Sequence, residues 1–153
     1  MTGRLFLMCC LAALISRPDL GRAQWQQTKG PSGGTVSCIL SANGALFAGT
    51  QGGGVFGSTN NGASWTAINA GLTSTSVSAL TAIGNHVFVG TSVGGIFSST
   101  NSGTSWNAVN NGLPSSVVTA LALVGTNLFA GTQGGGVFLS TTMAAAGPVS
   151  TQA

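Results

Sequence analysis

Carboxylates are nearly missing from this chain: Asp19 is its one acidic side chain, and neither Glu nor Tyr occurs. Charged residues make up 3% of the 153 positions, against about 25% in an ordinary soluble domain. A glycosidase of the usual kind needs two carboxyl groups flanking the scissile bond. A calcium or magnesium site takes several oxygen ligands, carboxylates among them. One carboxylate supports neither. Clustered positive charge is missing too, because Arg4, Arg17 and Arg22 all lie near the N-terminus and only Lys29 follows them. Phosphate neutralisation needs a basic face, so nucleic acid is not an expected partner.

The first 23 residues account for most of what charge there is. Arg4, an apolar run from Leu5 to Ile15, Pro18 and then Gly21-Arg22-Ala23 follow the layout of a secretory signal peptide. The run is too short for a membrane span, which takes about 20 apolar residues. Cleavage is expected after Ala23, giving a product that is secreted, periplasmic or at the cell surface, and Cys9 and Cys10 leave with the leader. From Gln24 onward Lys29 is the only charged side chain, His86 the only histidine and Cys38 the only cysteine. No internal disulfide can form. Cys38, flanked by Val36, Ile39 and Leu40, reads as a small core residue rather than a reactive thiol. His86 has neither a second His nor a carboxylate to share a metal with, so no metal site and no cofactor are expected.

What the sequence has in quantity is glycine, 25 residues, arranged in a repeat. A shift of 41 residues superposes Val36, Val77 and Val118, then Phe47, Phe88 and Phe129, with no gap. Residues 36–76 and 77–117 share 19 identities in 41 positions, and LFAGTQGGGVF recurs verbatim at 46–56 and 128–138. Within one unit the apolar runs are 36–40, 45–50, 54–58 and 65–68, separated by Asn43-Gly44, by Gly52-Gly53-Gly54 and by a longer loop. Short β-branched and aromatic runs between turn residues predict a four-stranded antiparallel sheet, and about 40 to 45 residues of four strands is the size of a propeller blade. Gly52-Gly53-Gly54 and Gly134-Gly135-Gly136 precede neither a helix nor a Lys, so they read as turns rather than phosphate loops. His86 aligns with Ala45 and Asn127, a pattern that suits a solvated strand edge.

The loop before the fourth run carries the most specific signal, STNNGASW at 58–65 and STNSGTSW at 99–106. Asn60 and Asn101 can close an Asx turn, and Gly62 and Gly103 can adopt the positive φ that side chains resist. Ser58 and Ser99 can tie the loop to its backbone, and Trp65 and Trp106 can bury large flat areas between sheets. These residues resemble the Asp box, or BNR repeat, of sialidase-like β-propellers, a pattern shared with Ycf48-type photosystem II assembly factors, sortilin-type receptors and secreted bacterial repeat proteins. The resemblance covers about residues 24–141. Asn60 and Asn101 stand where that family usually has Asp, and Ser64 and Ser105 where it has Thr.

The resemblance implies an all-β fold, with the box on the outer turn of each blade and no catalytic duty there. Sialidases of the family look like an arginine cluster with a Tyr nucleophile, a Glu partner and an acidic general acid, and residues 24–153 contain none of these types. The expected function is a secreted, non-catalytic binding, adhesion or scaffolding module for carbohydrate or protein. The alternative is a fragment of a larger Asp-box enzyme, sialidase-like or another glycosidase, with its catalytic residues elsewhere. The expected layout is a leader (1–23), a stray closing strand and linker (24–35), blades at 36–76 and 77–117, an incomplete blade (118–141) and a disordered tail (142–153). About three blades form only a partial, open or truncated propeller, since closure takes at least four. Open sheet edges with almost no charge to block pairing then predict self-association into a ring, or aggregation.

Overall fold

The computed structural model describes residues 25–141, which form strands, turns and loops without a helix. The expected leader (1–23) and tail (142–153) lie outside the described residues. β1 (Gly34–Ala42), β2 (Ala45–Gly52), β3 (Gly54–Ser58) and β4 (Thr66–Ala67) make the first sheet. β5 (Val77–Ile83), β6 (His86–Thr91), β7 (Gly95–Ser99) and β8 (Asn107–Ala108) make the second. β9 (Val118–Val124), β10 (Asn127–Thr132) and β11 (Gly136–Ser140) make the third. Every pairing joins sequential strands antiparallel. Residues 25–141 are therefore all-β, an open, partial β-propeller of three blades.

Turn chemistry explains the meander. Asn43 and Gly44 both take positive φ, 53° and 74°, the pair of left-handed residues that a two-residue hairpin turn requires. Two expectations need correction. The fourth strand of a blade is two residues long rather than the four of 65–68, because the Asn69 side chain takes over where its backbone would have continued. Ile68 N–H still donates to Val55 O at 2.9 Å, but Val55 N–H is satisfied by Asn69 Oδ1 at 2.7 Å. The stray strand expected within 24–35 is also absent: residues 25–31 have no regular secondary structure, and β1 instead begins at Gly34, pairing with Gly52.

The core lies between sheets. Phe47 and Val55 of the first blade meet Val87, Val89 and Phe97 of the second, and Phe88 and Ile96 of the second meet Val118, Leu128 and Ala130 of the third. Val87 and Val89 face one neighbour while Phe88 faces the other, as the two-residue period of a strand demands. The middle blade is thus covered on both sides, and β7 is buried along its whole length.

Each first strand has a bulge at the same repeat position, leaving Ser37, Ser78 and Thr119 outside the register. A bulge re-aims a side chain, and here it turns a hydroxyl to the next blade: Ser37 Oγ donates to Val77 O at 2.6 Å and Ser78 Oγ to Val118 O at 2.5 Å. Glycine makes this approach possible. Val77 packs against Gly49 and Val118 against Gly90, and a Cβ at either glycine would overlap the valine.

Candidate functional site

The two loops singled out in the sequence adopt one structure. Ser58 Oγ accepts from Gly62 N–H at 2.9 Å and donates to Asn60 Oδ1 at 2.9 Å. Asn60 Oδ1 also accepts from Ser64 N–H at 2.9 Å, and Asn60 Nδ2 donates to Ser64 Oγ at 2.8 Å. The second loop repeats these bonds with Ser99, Asn101, Gly103 and Ser105, at 2.8 to 3.0 Å. Gly62 and Gly103 both have φ of 82°, as expected of them. At Gly103 the absent Cβ also makes room for Ile68. The four Ser and two Asn side chains are thus engaged within their own loops, which makes each loop a folding device with little polar capacity left for chemistry.

The two tryptophans part company. Trp106 is 3% exposed and donates its indole N–H to Ile68 O of the preceding blade at 2.7 Å. Trp65 is half-buried, on the open face of the first blade, and its indole nitrogen is enclosed with no acceptor among the described residues. Part of the place of a preceding blade is taken by residues 25–31: Thr28 sits by Gly62 as Ile68 sits by Gly103. Between this segment and β1 lies an open cleft of about 500 Å³, lined by Gln27, Thr28, Lys29, Val36, Ile39 and Trp65 among others.

The remaining groups capable of chemistry are scattered. His86, at the start of β6, is half-buried and stacks on Phe88 with ring centroids 6.2 Å apart. Cys38 packs against the core, as expected, and burial pushes its thiol pKa up, an effect only partly offset by the neighbouring Ser37 hydroxyl and Gly49 backbone. Among the described residues no three His, Cys, Asp or Glu side chains come together as metal ligands, and no helix is long and apolar enough to cross a membrane.

Sequence reasoning missed two repeated pins. Asn69 Nδ2 donates to Gly53 O at 2.9 Å while its Oδ1 holds Val55 N–H, and Asn110 does the same with Gly94 and Ile96. The bulge residues Ser37 and Ser78 were missed as well. Their signal was the 41-residue spacing itself, Asn69 to Asn110 and Ser37 to Ser78.

The chain matches the model of the DUF6242 beta propeller domain over residues 12–146. No curated protein matches it significantly. Among solved structures it is similar to an ancestral GH74 enzyme, with a TM-score of 0.58 and 26% identity, over 72% of this chain and 15% of the enzyme. The computationally designed Ika4 protein gives 0.53 and 19%, covering 69% of this chain and 64% of the design. The designed Ika8 protein gives 0.53 and 21%, covering 68% and 32%. The chain spans less than two thirds of each of these three. The two designs attest the fold alone. With the family model spanning most of its length, the chain belongs to the DUF6242 β-propeller domain family.

Proposed function

We propose that the chain is a secreted, non-catalytic propeller module that acts by binding or scaffolding, and that loops 58–65 and 99–106 are Asp-box (BNR) turns. The observation that carries this reading is the chemistry left once the fold is made. Lys29, His86 and Cys38 lie in three different segments of the chain, and burial raises the thiol pKa. General acid–base catalysis needs a group poised at the proton it transfers, usually with a second to complete the cycle. The exposed rim offers instead Thr59 and Thr100, Asn61 and Ser102, uncharged hydrogen-bonding groups recurring at the repeat spacing. Such groups suit a carbohydrate or protein ligand, and the likeness to a GH74 enzyme favours carbohydrate, by analogy of fold.

The test incubates the exported chain with insoluble β-glucan, chitin and sialylated glycoprotein. Retention on one of them without release of sugar supports the reading; release of sugar overturns it. Mass spectrometry of the same material checks export, with an N-terminus expected near Gln24 and an intact Met1 contradicting it. A second reading, part of a larger propeller enzyme, is favoured by the chain's spanning only 15% of the GH74 relative. Further 41-residue units bearing Arg, Glu and Tyr in the continuing reading frame would support it.

A further inference from the structure

We propose that two copies of this chain join head to tail into a six-bladed ring, the Val36 edge of each seating on the Gly131 notch of the other. The chain contains two finished examples of this contact. At the first, Val77 lies on Gly49 and Ser37 donates to Val77 O; at the second, Val118 lies on Gly90 and Ser78 donates to Val118 O. Val77 and Val118 are each 1% exposed, whereas Val36, their equivalent on the leading face, is 45% exposed. At the trailing face the converse holds. A Cβ on Gly131 would meet only Thr119 and Ala120 of its own blade, at ordinary contact distance. Thr119, the equivalent of Ser37 and Ser78, is exposed and among the described residues reaches only Gly131 O of its own sheet, at 3.1 Å. The two faces are therefore the separate halves of an interface the molecule already makes twice.

The cleft beside Val36 supports the same occupant. Thr28 by Gly62 holds the position that Ile68 holds by Gly103, which places residues 25–28 where the last strand of a preceding blade belongs. If the preceding blade is the partner's third, Gln26 and Gln27 fall opposite Leu139 and Phe138 by the register of Thr66 with Gly57 and Ala67 with Phe56. β11 is an edge strand among the described residues, and Val137 and Leu139 on it are exposed. Lys29 is the one charged side chain among the described residues, so charge repulsion does not guard these edges. A contact between unlike faces gives a ring where the rotation closes. Two copies of the three blades in residues 25–141 supply six, inside the usual range of about four to eight, and three copies would exceed it. This inference rests on the repeat geometry and not on the ligand proposed above.

Sedimentation equilibrium of the full exported chain at micromolar concentration tests it. The expected mass is twice that of one chain. Gly131→Leu should reduce it to the single-chain mass while leaving the far-ultraviolet circular dichroism unchanged, since within its own copy a Cβ there makes only ordinary contacts with Thr119 and Ala120. Thr119→Lys, on the same face but outside the glycine notch, should also give a monomer. A monomeric wild type, a polydisperse aggregate, or a dimer that survives both substitutions would overturn the proposal. So would a monomer whose cleft takes up cello- or chito-oligosaccharide with a change in tryptophan fluorescence, which would assign the cleft to a small ligand.

Discussion

Trp106 and Ile68 are joined across the gap between two blades, the indole N–H of one on the carbonyl oxygen of the other at 2.7 Å. The Trp106 backbone N–H binds Ala70 O in the same gap at 2.8 Å, so one residue makes two bonds to the blade before it. Trp65 occupies the same position of the same loop and makes neither. The acceptor belongs to the neighbouring blade rather than to the loop, and Trp65 has only the irregular segment 25–31 beside it.

Trp106→Ala should therefore lower stability by about 3 to 5 kcal/mol, the usual cost of truncating a buried aromatic, and Trp65→Ala by clearly less. Phenylalanine separates packing from hydrogen bonding. Trp106→Phe gives up a bond worth about 1 kcal/mol and strands the Ile68 carbonyl, whereas Trp65→Phe removes a donor that had no partner and should be neutral or stabilising. Urea unfolding followed by circular dichroism reads both; equal losses for the two phenylalanine variants would contradict the assignment.

The repeat made much of this legible in advance. A 41-residue period with glycine turns specifies a blade because each unit must bury its faces on the next, and the three sheets appear in that order. The loop bonds of Ser58 and Asn60 were legible because they are local, closing within seven residues of chain. The difference between Trp65 and Trp106 was not, since burial depends on what lies across the gap. Asn69 and Asn110 escaped notice for a related reason: their partners lie 14 and 16 residues away across a sheet edge.

Aspartate should distinguish the two kinds of asparagine. At positions 60 and 101 it can keep the Oδ1 bonds, and the Ser64 or Ser105 hydroxyl can rotate to donate to its second oxygen, so Asn60→Asp and Asn101→Asp should be nearly silent. At positions 69 and 110 the lost Nδ2 donor leaves a carboxylate against the Gly53 or Gly94 carbonyl, at a cost of about 1 to 3 kcal/mol for an unmet, partly buried acceptor. A protonated carboxyl can donate to that carbonyl, so folding raises its pKa. The penalty of Asn69→Asp and Asn110→Asp should be smallest in acid and grow as pH rises through the carboxylate range, which melting temperatures measured against pH would show.

Cys38 gives a second pH dependence. Burial raises its pKa in the folded chain, so the folded state favours the protonated thiol. The stability this contributes is complete below the ordinary thiol pKa and declines as pH rises through the raised value. Alkylation by iodoacetamide should be slow at neutral pH and accelerate with a midpoint above that of the unfolded chain; a midpoint at or below it would refute the effect.

The bulge hydroxyls should govern how strongly the blades are coupled. In a monomeric background such as Gly131→Leu the chain is a linear array in which each unit is stabilised by its neighbours, and there the middle blade has two while the outer blades have one each. Ser37→Ala removes a bond between the first and second blades, and Ser78→Ala removes one between the second and third, each worth about 0.5 to 1.5 kcal/mol. Loss of the first should chiefly loosen the first blade and loss of the second chiefly the third, because the middle blade stays anchored on its other side. In amide hydrogen exchange, Ser78→Ala should speed exchange along β9 and β10 by roughly two- to tenfold, the kinetic equivalent of that bond energy, and leave β2 unchanged. Ser37→Ala should do the reverse. Thr119→Ala, whose hydroxyl crosses to no other blade within the chain, should alter neither pattern in a monomeric background such as Gly131→Leu. Uniform acceleration across all three sheets in either serine variant would mean that the chain opens as a single cooperative unit and that these hydroxyls do not set the coupling between blades.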